Sequence, residues 1–246
     1  MRYLIFTDIH GNLEAFLAFL KFAKKRKIDH YIFLGDLVGY GASPNEIIQK
    51  IRTLKPISMI RGNHDKAVCG LDTVQTFNPI AAAAIRWTRD HISKKNLNLL
   101  CNLKQGPLIV NKEIMICHGA PFDEDHYIFG EFDAQEAFLH ITTPICFFGH
   151  THFPFIYEEK DHLVEGTFLT GDSNEIKIEK GVRYLINPGS IGQPRDRDPQ
   201  AACAIFDSKT RKIKFFRFPY DIGEAQKKIL EAGLPPALAE RLAVGI

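Results

Sequence analysis

The chain begins with a short apolar run, residues 3–6, that halts at Thr7-Asp8; four β-prone residues ending on an acid predict a buried strand. After Gly11-Asn12, apolar residues recur at Leu13, Phe16, Leu17, Leu20 and Ala23, three and four positions apart. That spacing predicts an amphipathic helix, with Asn12 as its N-cap. Residues 31–34 predict a second strand, ending at Gly35-Asp36, and Ser43-Pro44 then starts a helix over 45–54 with a cap and a first-turn proline. A third strand, 57–60, runs into a loop made of Arg61-Gly62-Asn63-His64-Asp65. Residues 78–103 lean helical, and two further strands, 113–117 and 145–148, end at His118 and at Gly149-His150. Strand, loop and helix in alternation is the α/β pattern that feeds a central sheet.

Beyond Phe153 the pattern changes to short alternating runs at 155–158, 166–169, 175–178, 183–186, 202–206 and 213–218, separated by glycine and charged turns. These predict a second sheet. A tail from about residue 221 to 246 carries two short helices broken at Pro235-Pro236. No internal repeat and no low-complexity linker divides the chain, so residues 1–246 read as one domain.

Composition narrows the class. A hydrophobic fraction of 45% with 24% charged residues is that of a soluble globular protein with a sizeable core. The net charge of +2 gives no reason to expect nucleic acid as a partner, and the densest basic run, Lys21 to Lys27, reads as the solvated face of a helix. No stretch approaches the roughly 18 apolar residues of a membrane span. The five cysteines are scattered without a CxxC pair, and Cys117 and Cys146 lie in apolar strands. An odd count without a framework predicts reduced thiols and a cytoplasmic location.

The chemistry lies where the strands end. Five consecutive predicted strands run into loops that hold Asp8 and His10, then Asp36, then Asn63 and His64, then His118, then His150 and His152. In open α/β sheets, ligands bind in the crevice outside the carboxyl ends of the strands. With His64 set aside, two carboxylates, one amide and four imidazoles, with no thiolate, suit two divalent ions of the Mn, Fe, Co, Ni or Zn kind. Such ions, about 3.5–4 Å apart, can share a carboxylate, activate water and steady both oxygens of an in-line displacement.

Asp8-Ile9-His10, Gly35-Asp36-Leu37-Val38-Gly39, Gly62-Asn63-His64-Asp65, Cys117-His118-Gly119 and Gly149-His150-Thr151-His152 resemble, in order, the motifs of the calcineurin-like metallophosphoesterases. Asn187-Pro188-Gly189-Ser190 is similar to a late motif of the bacterial small-phosphoesterase branch. The resemblance implies an α/β (α+β) fold, a two-sheet sandwich flanked by helices in four αββα layers. It implies that Asp8, His10 and His152 hold one metal ion, that Asn63, His118 and His150 hold the other, and that Asp36 bridges the two. It makes His64 the catalytic imidazole that stabilises the departing oxygen or gives it a proton. Asp65 would orient that imidazole or else cap the next turn. Many members carry an acid where Gly39 stands, and its absence leaves the partner of His64 open. Arg195 would clamp a substrate phosphate or pair with Asp196 or Asp198, whereas Tyr40 reads as packing. His126, in Asp123-Glu124-Asp125-His126, reads as part of a solvated loop.

The expected activity is hydrolysis of phosphate mono- or diesters by a hydroxide held at the two-metal centre, with a small phosphoester or nucleotide-type substrate. The alternatives are a nuclease of the same fold and an inactive binding scaffold. A complete ligand set together with His64 favours the enzyme.

Overall fold

The first strand shows how the layers arise. In β1 (Arg2–Phe6), Leu4 and Phe6 face one buried cluster while Tyr3 and Ile5 face another, so both sides of the strand are covered. The computed structural model describes residues 1–171 and 174–246. The later strands are β2 (His30–Phe33), β3 (Ile57–Met59), β4 (Leu108–Ile109), β5 (Ile114–Ile116), β6 (Ile145–Phe147) and β7 (Pro154–Lys160). They continue with β8 (Leu163–Phe168), β9 (Glu175–Lys177), β10 (Arg183–Pro188), β11 (Ala201–Asp207) and β12 (Lys212–Phe218). The helices are α1 (Leu13–Lys24), α2 (Pro44–Ile51), α3 (Asn63–Val68), α4 (Pro79–His91), α5 (Lys94–Cys101), α6 (Glu131–His140), α7 (Ile222–Glu231) and α8 (Pro236–Val244).

Two mixed six-stranded sheets form, in the orders β3-β2-β1-β11-β12-β9 and β4-β5-β6-β10-β7-β8. β1 runs parallel to β2 and antiparallel to β11, with Ile5 opposite Ala204. β10 runs parallel to β6 and antiparallel to β7. The late strands therefore do not make a sheet of their own, as their alternating pattern led us to expect. They divide between the two sheets that the early strands begin. Between the sheets lies a core of Ile5, Ile32, Ile116, Phe147, Ile186 and Phe206. A second core joins the first sheet to α1 and α2 through Phe6, Phe16, Phe19, Phe33 and Ile47, and a third joins the other sheet to α6 through Phe138, Cys146 and Leu185. The result is the expected αββα sandwich.

Capping explains several boundaries. Asn12 Oδ1 accepts the Ala15 N–H at 3.1 Å and starts α1. The expected helical stretch 78–103 splits at Ile92, because Ser93 caps a new helix by accepting the Asn96 N–H. The tail helices form on either side of Pro235. α3 occupies what read as a loop, and α6 was not anticipated.

The cysteines depart from expectation. Cys69, at the end of α3, and Cys101, at the end of α5, form a disulfide, while Cys117, Cys146 and Cys203 are free and buried. Partners 32 positions apart carry no local signal. The inference from reduced thiols to a cytoplasmic location loses that support. Among the described residues no helix is long and apolar enough to cross a membrane.

Candidate metal centre

The residues that follow β1, β2, β3, β5 and β6 meet at one edge of the sandwich. The loops after β1 and β2 run alongside each other, held by Asp8 N–H to Gly35 carbonyl and His10 N–H to Asp36 carbonyl, both at 3.0 Å. On the other side, the Gly192 N–H donates to the Asp8 carbonyl at 2.8 Å. Clamped this way, Asp8, His10, Asp36, Tyr40, His150 and His152 all adopt positive φ, between 48° and 66°. Side chains other than glycine pay of order 1 kcal/mol or more for that conformation, and such residues cluster where a site over-determines the backbone.

Asp8, His10, Asp36, Asn63, His118, His150 and His152 are all buried. Their donor atoms form overlapping groups: Asp8, His10 and His152; His10, Asp36 and His64; and Asp36, His118 and His150. Asp36 is the common member of the last two, with its Oδ2 lying 3.4 Å from both His10 Nε2 and His118 Nε2. Asn63 Oδ1 lies 3.1 Å from His118 Nε2, and His152 Nε2 lies 3.5 Å from Asp8 Oδ1. All seven expected ligands are thus brought together.

Backbone carbonyls set the imidazoles. His10 Nδ1 faces the Val38 carbonyl at 3.2 Å, His118 Nδ1 that of Leu34 at 2.9 Å, and His152 Nδ1 that of Gln193 at 2.6 Å. A carbonyl only accepts, so each Nδ1 carries the hydrogen and each Nε2 presents a lone pair inward. His150 is reversed, its Nε2 donating to the Asp125 carbonyl at 3.1 Å. The consequence is electrostatic. His10 Nε2 and His152 Nε2 stand 3.1 Å apart, and both Asp8 oxygens beside them lack a hydrogen-bond partner among the described residues. Lone pairs and an orphaned carboxylate directed at one point fit a cation, and bare nitrogens of this kind are metal ligands held by an outer shell of hydrogen bonds.

Titration behaviour agrees for three of the four imidazoles. Burial pushes the Asp8 carboxyl up to about 7 and drives His10, His150 and His152 well below the usual imidazole range. Burial also works against ionised Asp36, but His118, His64 and His10 outweigh it and hold the carboxyl well below its ordinary value. Burial lowers His118, the exception, but Asp36, Asp8 and the Leu34 carbonyl together raise it to about 9.

His64 adjoins this shell, grouped with His10 and Asp36, and also faces outward. Its ring stands edge-on to His10 at 4.8 Å and 84°, lies against Tyr40 and Phe77, and lines a cleft of about 470 Å³. Its buried Nδ1 has no partner among the described residues, and burial lowers its pKa to about 4. Gly39 accounts for the missing acid, since a Cβ on that residue would collide with His64 Nδ1. Gly62 is needed for a similar reason, because a Cβ there would meet Asp36 Oδ1 and its backbone nitrogen.

Three expectations change here. Asp65 does not orient His64 through a hydrogen bond. Its Oδ2 accepts the N–H groups of Asp36 and Gly62, and its Oδ1 accepts those of Leu37 and Val38, at 2.9 to 3.2 Å. It is a fully buried cap rather than a surface one. Arg195 does not pair with Asp196 or Asp198, which engage Arg217; instead it donates to the Tyr40 hydroxyl at 3.2 Å. Tyr40 therefore lines the cleft as well as packing. The 123–126 loop is only partly solvated: Asp123 is exposed, but Glu124 is buried against Arg61 and Lys66, and Asp125 pairs with Lys66. Sequence reasoning missed Tyr127, which stacks on His150 at 3.8 Å, and Gln193, which acts on His152 through its carbonyl. A backbone carbonyl leaves no trace in residue type.

Comparison with known proteins agrees with this geometry. A model of the calcineurin-like phosphoesterase superfamily domain matches residues 1–211. The uncharacterised protein MJ0912 of Methanocaldococcus jannaschii is 40% identical over 248 residues, which span 98% of this chain and 97% of that one. A metallophosphoesterase from Sphaerobacter thermophilus superposes with a TM-score of 0.89 at 38% identity, covering 100% of this chain and 99% of its own. The hypothetical protein PH1004 from Pyrococcus horikoshii OT3 shares the fold, with a TM-score of 0.81 at 19% identity over 100% of this chain and 98% of that one. The chain belongs to the calcineurin-like phosphoesterase superfamily, and phosphoester hydrolysis is the activity this membership supports.

Proposed function

We propose that the chain hydrolyses small phosphate mono- or diesters, nucleotide-type substrates included, at a centre of two divalent ions. Asp8, His10 and His152 would hold one ion and Asn63, His118 and His150 the other, with Asp36 available to both. The observation that supports this most strongly is the position of Asp36 Oδ2, equidistant at 3.4 Å from an imidazole of each group. When bound, the ions supply Lewis acidity that makes a water nucleophilic at neutral pH and offsets the phosphate charge.

The chain's own residues do the remainder. The carbonyls of Val38, Leu34, Gln193 and Asp125 fix the tautomers of the four ligand imidazoles, so that their lone pairs need no reorganisation. His64, uncharged at neutral pH, faces the cleft and offers a ring N–H to the departing oxygen. Asp65 fixes the backbone of residues 36–38, and with it Asp36. An imidazole that lines the cleft with its Nδ1 unpartnered among the described residues favours catalysis over a binding scaffold.

The test is reconstitution of chelator-treated protein with single divalent ions, assayed against mono- and diesters with metal content measured. Hydrolysis that needs two ions per chain supports the reading. A chain that binds one ion at saturation, or hydrolyses nothing with any ion, sinks it.

A further inference from the structure

The tail lies outside the stretch that matches the family model, residues 1–211, yet it packs against Tyr40 and Ala81, which line the cleft. Ile229, Leu234, Leu238 and Leu242 share a buried cluster with Tyr40 and with Ala81 and Ala84 of α4. From α8, Arg241 brings its guanidinium carbon to 5.2 Å from the centroid of the Tyr40 ring, and Arg195 brings its own to 6.0 Å from the same ring. Two cations thus bracket one tyrosine at the edge of the candidate centre.

Arg195 meets no side-chain carboxylate among the described residues. The acids nearest Arg195 in sequence are taken by Arg217. Arg195 has the hydroxyls of Tyr40 and Tyr127, and its buried Nε has no partner among the described residues. Arg241 Nε donates to an oxygen of Ile246 at 2.8 Å. Bringing two guanidinium groups together away from water is costly, and burial and Arg195 together lower the affinity of Arg241 for its proton. The arrangement becomes favourable when an anion with more than one negative charge lies between them. Planar forks with several donors suit phosphate oxygens in particular. Arg195 also acts electrostatically on Asp8, His10, His64, His150 and His152, which places its charge beside the whole centre.

The geometry points to a phosphate-binding pair, Arg195 from the loop after β10 and Arg241 from the tail, that takes the doubly charged phosphate of a monoester and sets a preference for monoesters over diesters. This inference rests on the phosphoesterase reading above. A diester phosphate carries a single charge, and its second ester group occupies an oxygen that the second fork would hold.

The experiment uses Arg241→Gln and Arg241→Lys in the full chain, with p-nitrophenyl phosphate as monoester and bis(p-nitrophenyl) phosphate as diester. Calorimetric titration of inorganic phosphate into the chelator-treated protein provides a reading that needs no turnover. Arg241→Gln should raise the monoester KM by roughly tenfold or more, the worth of a charge-assisted hydrogen bond, and weaken phosphate binding by a similar factor. The diester KM should move by less than about threefold, and kcat should change little for either ester. Arg241→Lys, which keeps the charge and the aliphatic stem, should fall between, and it covers the case in which glutamine loosens α8. Equal increases in KM for the two esters, or phosphate binding indifferent to Arg241 in both variants, would overturn the proposal. If no ester is hydrolysed with any ion, the phosphoesterase reading fails by itself, and the phosphate titration still decides the fate of the pair.

Discussion

Replacing Asp65 with asparagine probes what holds the centre in shape. The carboxylate accepts four backbone N–H groups, two on each oxygen, from residues 36, 37, 38 and 62. Asparagine keeps one oxygen and turns an NH2 group toward the other two donors. Two buried N–H groups then lose their acceptor, at about 1–3 kcal/mol each, so Asp65→Asn should destabilise the protein by roughly 2–6 kcal/mol. For a chain of this size that lowers Tm by roughly 5–20 °C. The same loop carries Asp36 and the Val38 carbonyl that sets His10, so metal affinity should fall by about 10- to 100-fold, the usual worth of an outer-shell partner. The assays are thermal unfolding with chelator and with Mn²⁺, and metal titration of the chelator-treated variant. A variant that melts with the wild type, binds metal normally and loses only kcat would refute the reasoning and return Asp65 to the role of orienting His64.

Three further outcomes are expected. Asp36→Asn should impair both metal positions while His10→Ala weakens mainly one, which stepwise metal titration resolves; indistinguishable losses would remove the shared role of Asp36. His64→Ala should keep metal stoichiometry while kcat falls by roughly 10²–10⁴-fold, with a larger defect on alkyl than on p-nitrophenyl phosphates. An unchanged kcat would make His64 a bystander. Because burial raises the Asp8 pKa to about 7, a proton competes with the cation there, so metal affinity should fall as pH drops through 7 and recover above it. Affinity that is flat between pH 6 and 8, measured with proton release in two buffers, would contradict that.

The site was more legible in the sequence than the fold around it. Ligands at five strand ends are set by residue type, and residue type is what a sequence displays. Sheet membership is not: 202–206 and 183–186 read alike as apolar runs, yet β11 joins β1 while β10 joins β6. α6 went unseen because Phe132 and Leu139 stand 89% and 80% exposed and blur its helical period. α3 read as a loop because Asn63 and His64 serve the centre and Asp65 caps the turn, leaving little apolar pattern to find. Arg241 lies far along the chain from every motif, and only the packing of α8 on Tyr40 brings it near.

The interleaving of the two sheets bears on the order in which the protein can be made. His152, the last of the proposed ligands to leave the ribosome, takes its orientation from Gln193, and β1 and β6 gain their central neighbours only with β11 and β10. The segment through β11 (Ala201–Asp207) follows His152 by some 50 residues, roughly 3 to 10 s of synthesis. During that interval Asp8, Asp36 and the imidazoles exist on strands whose partners have not yet been added. A nascent chain stalled near residue 160 should therefore hold divalent ions no better than an unfolded peptide, and the centre should appear in one step as β10 and β11 close the two sheets.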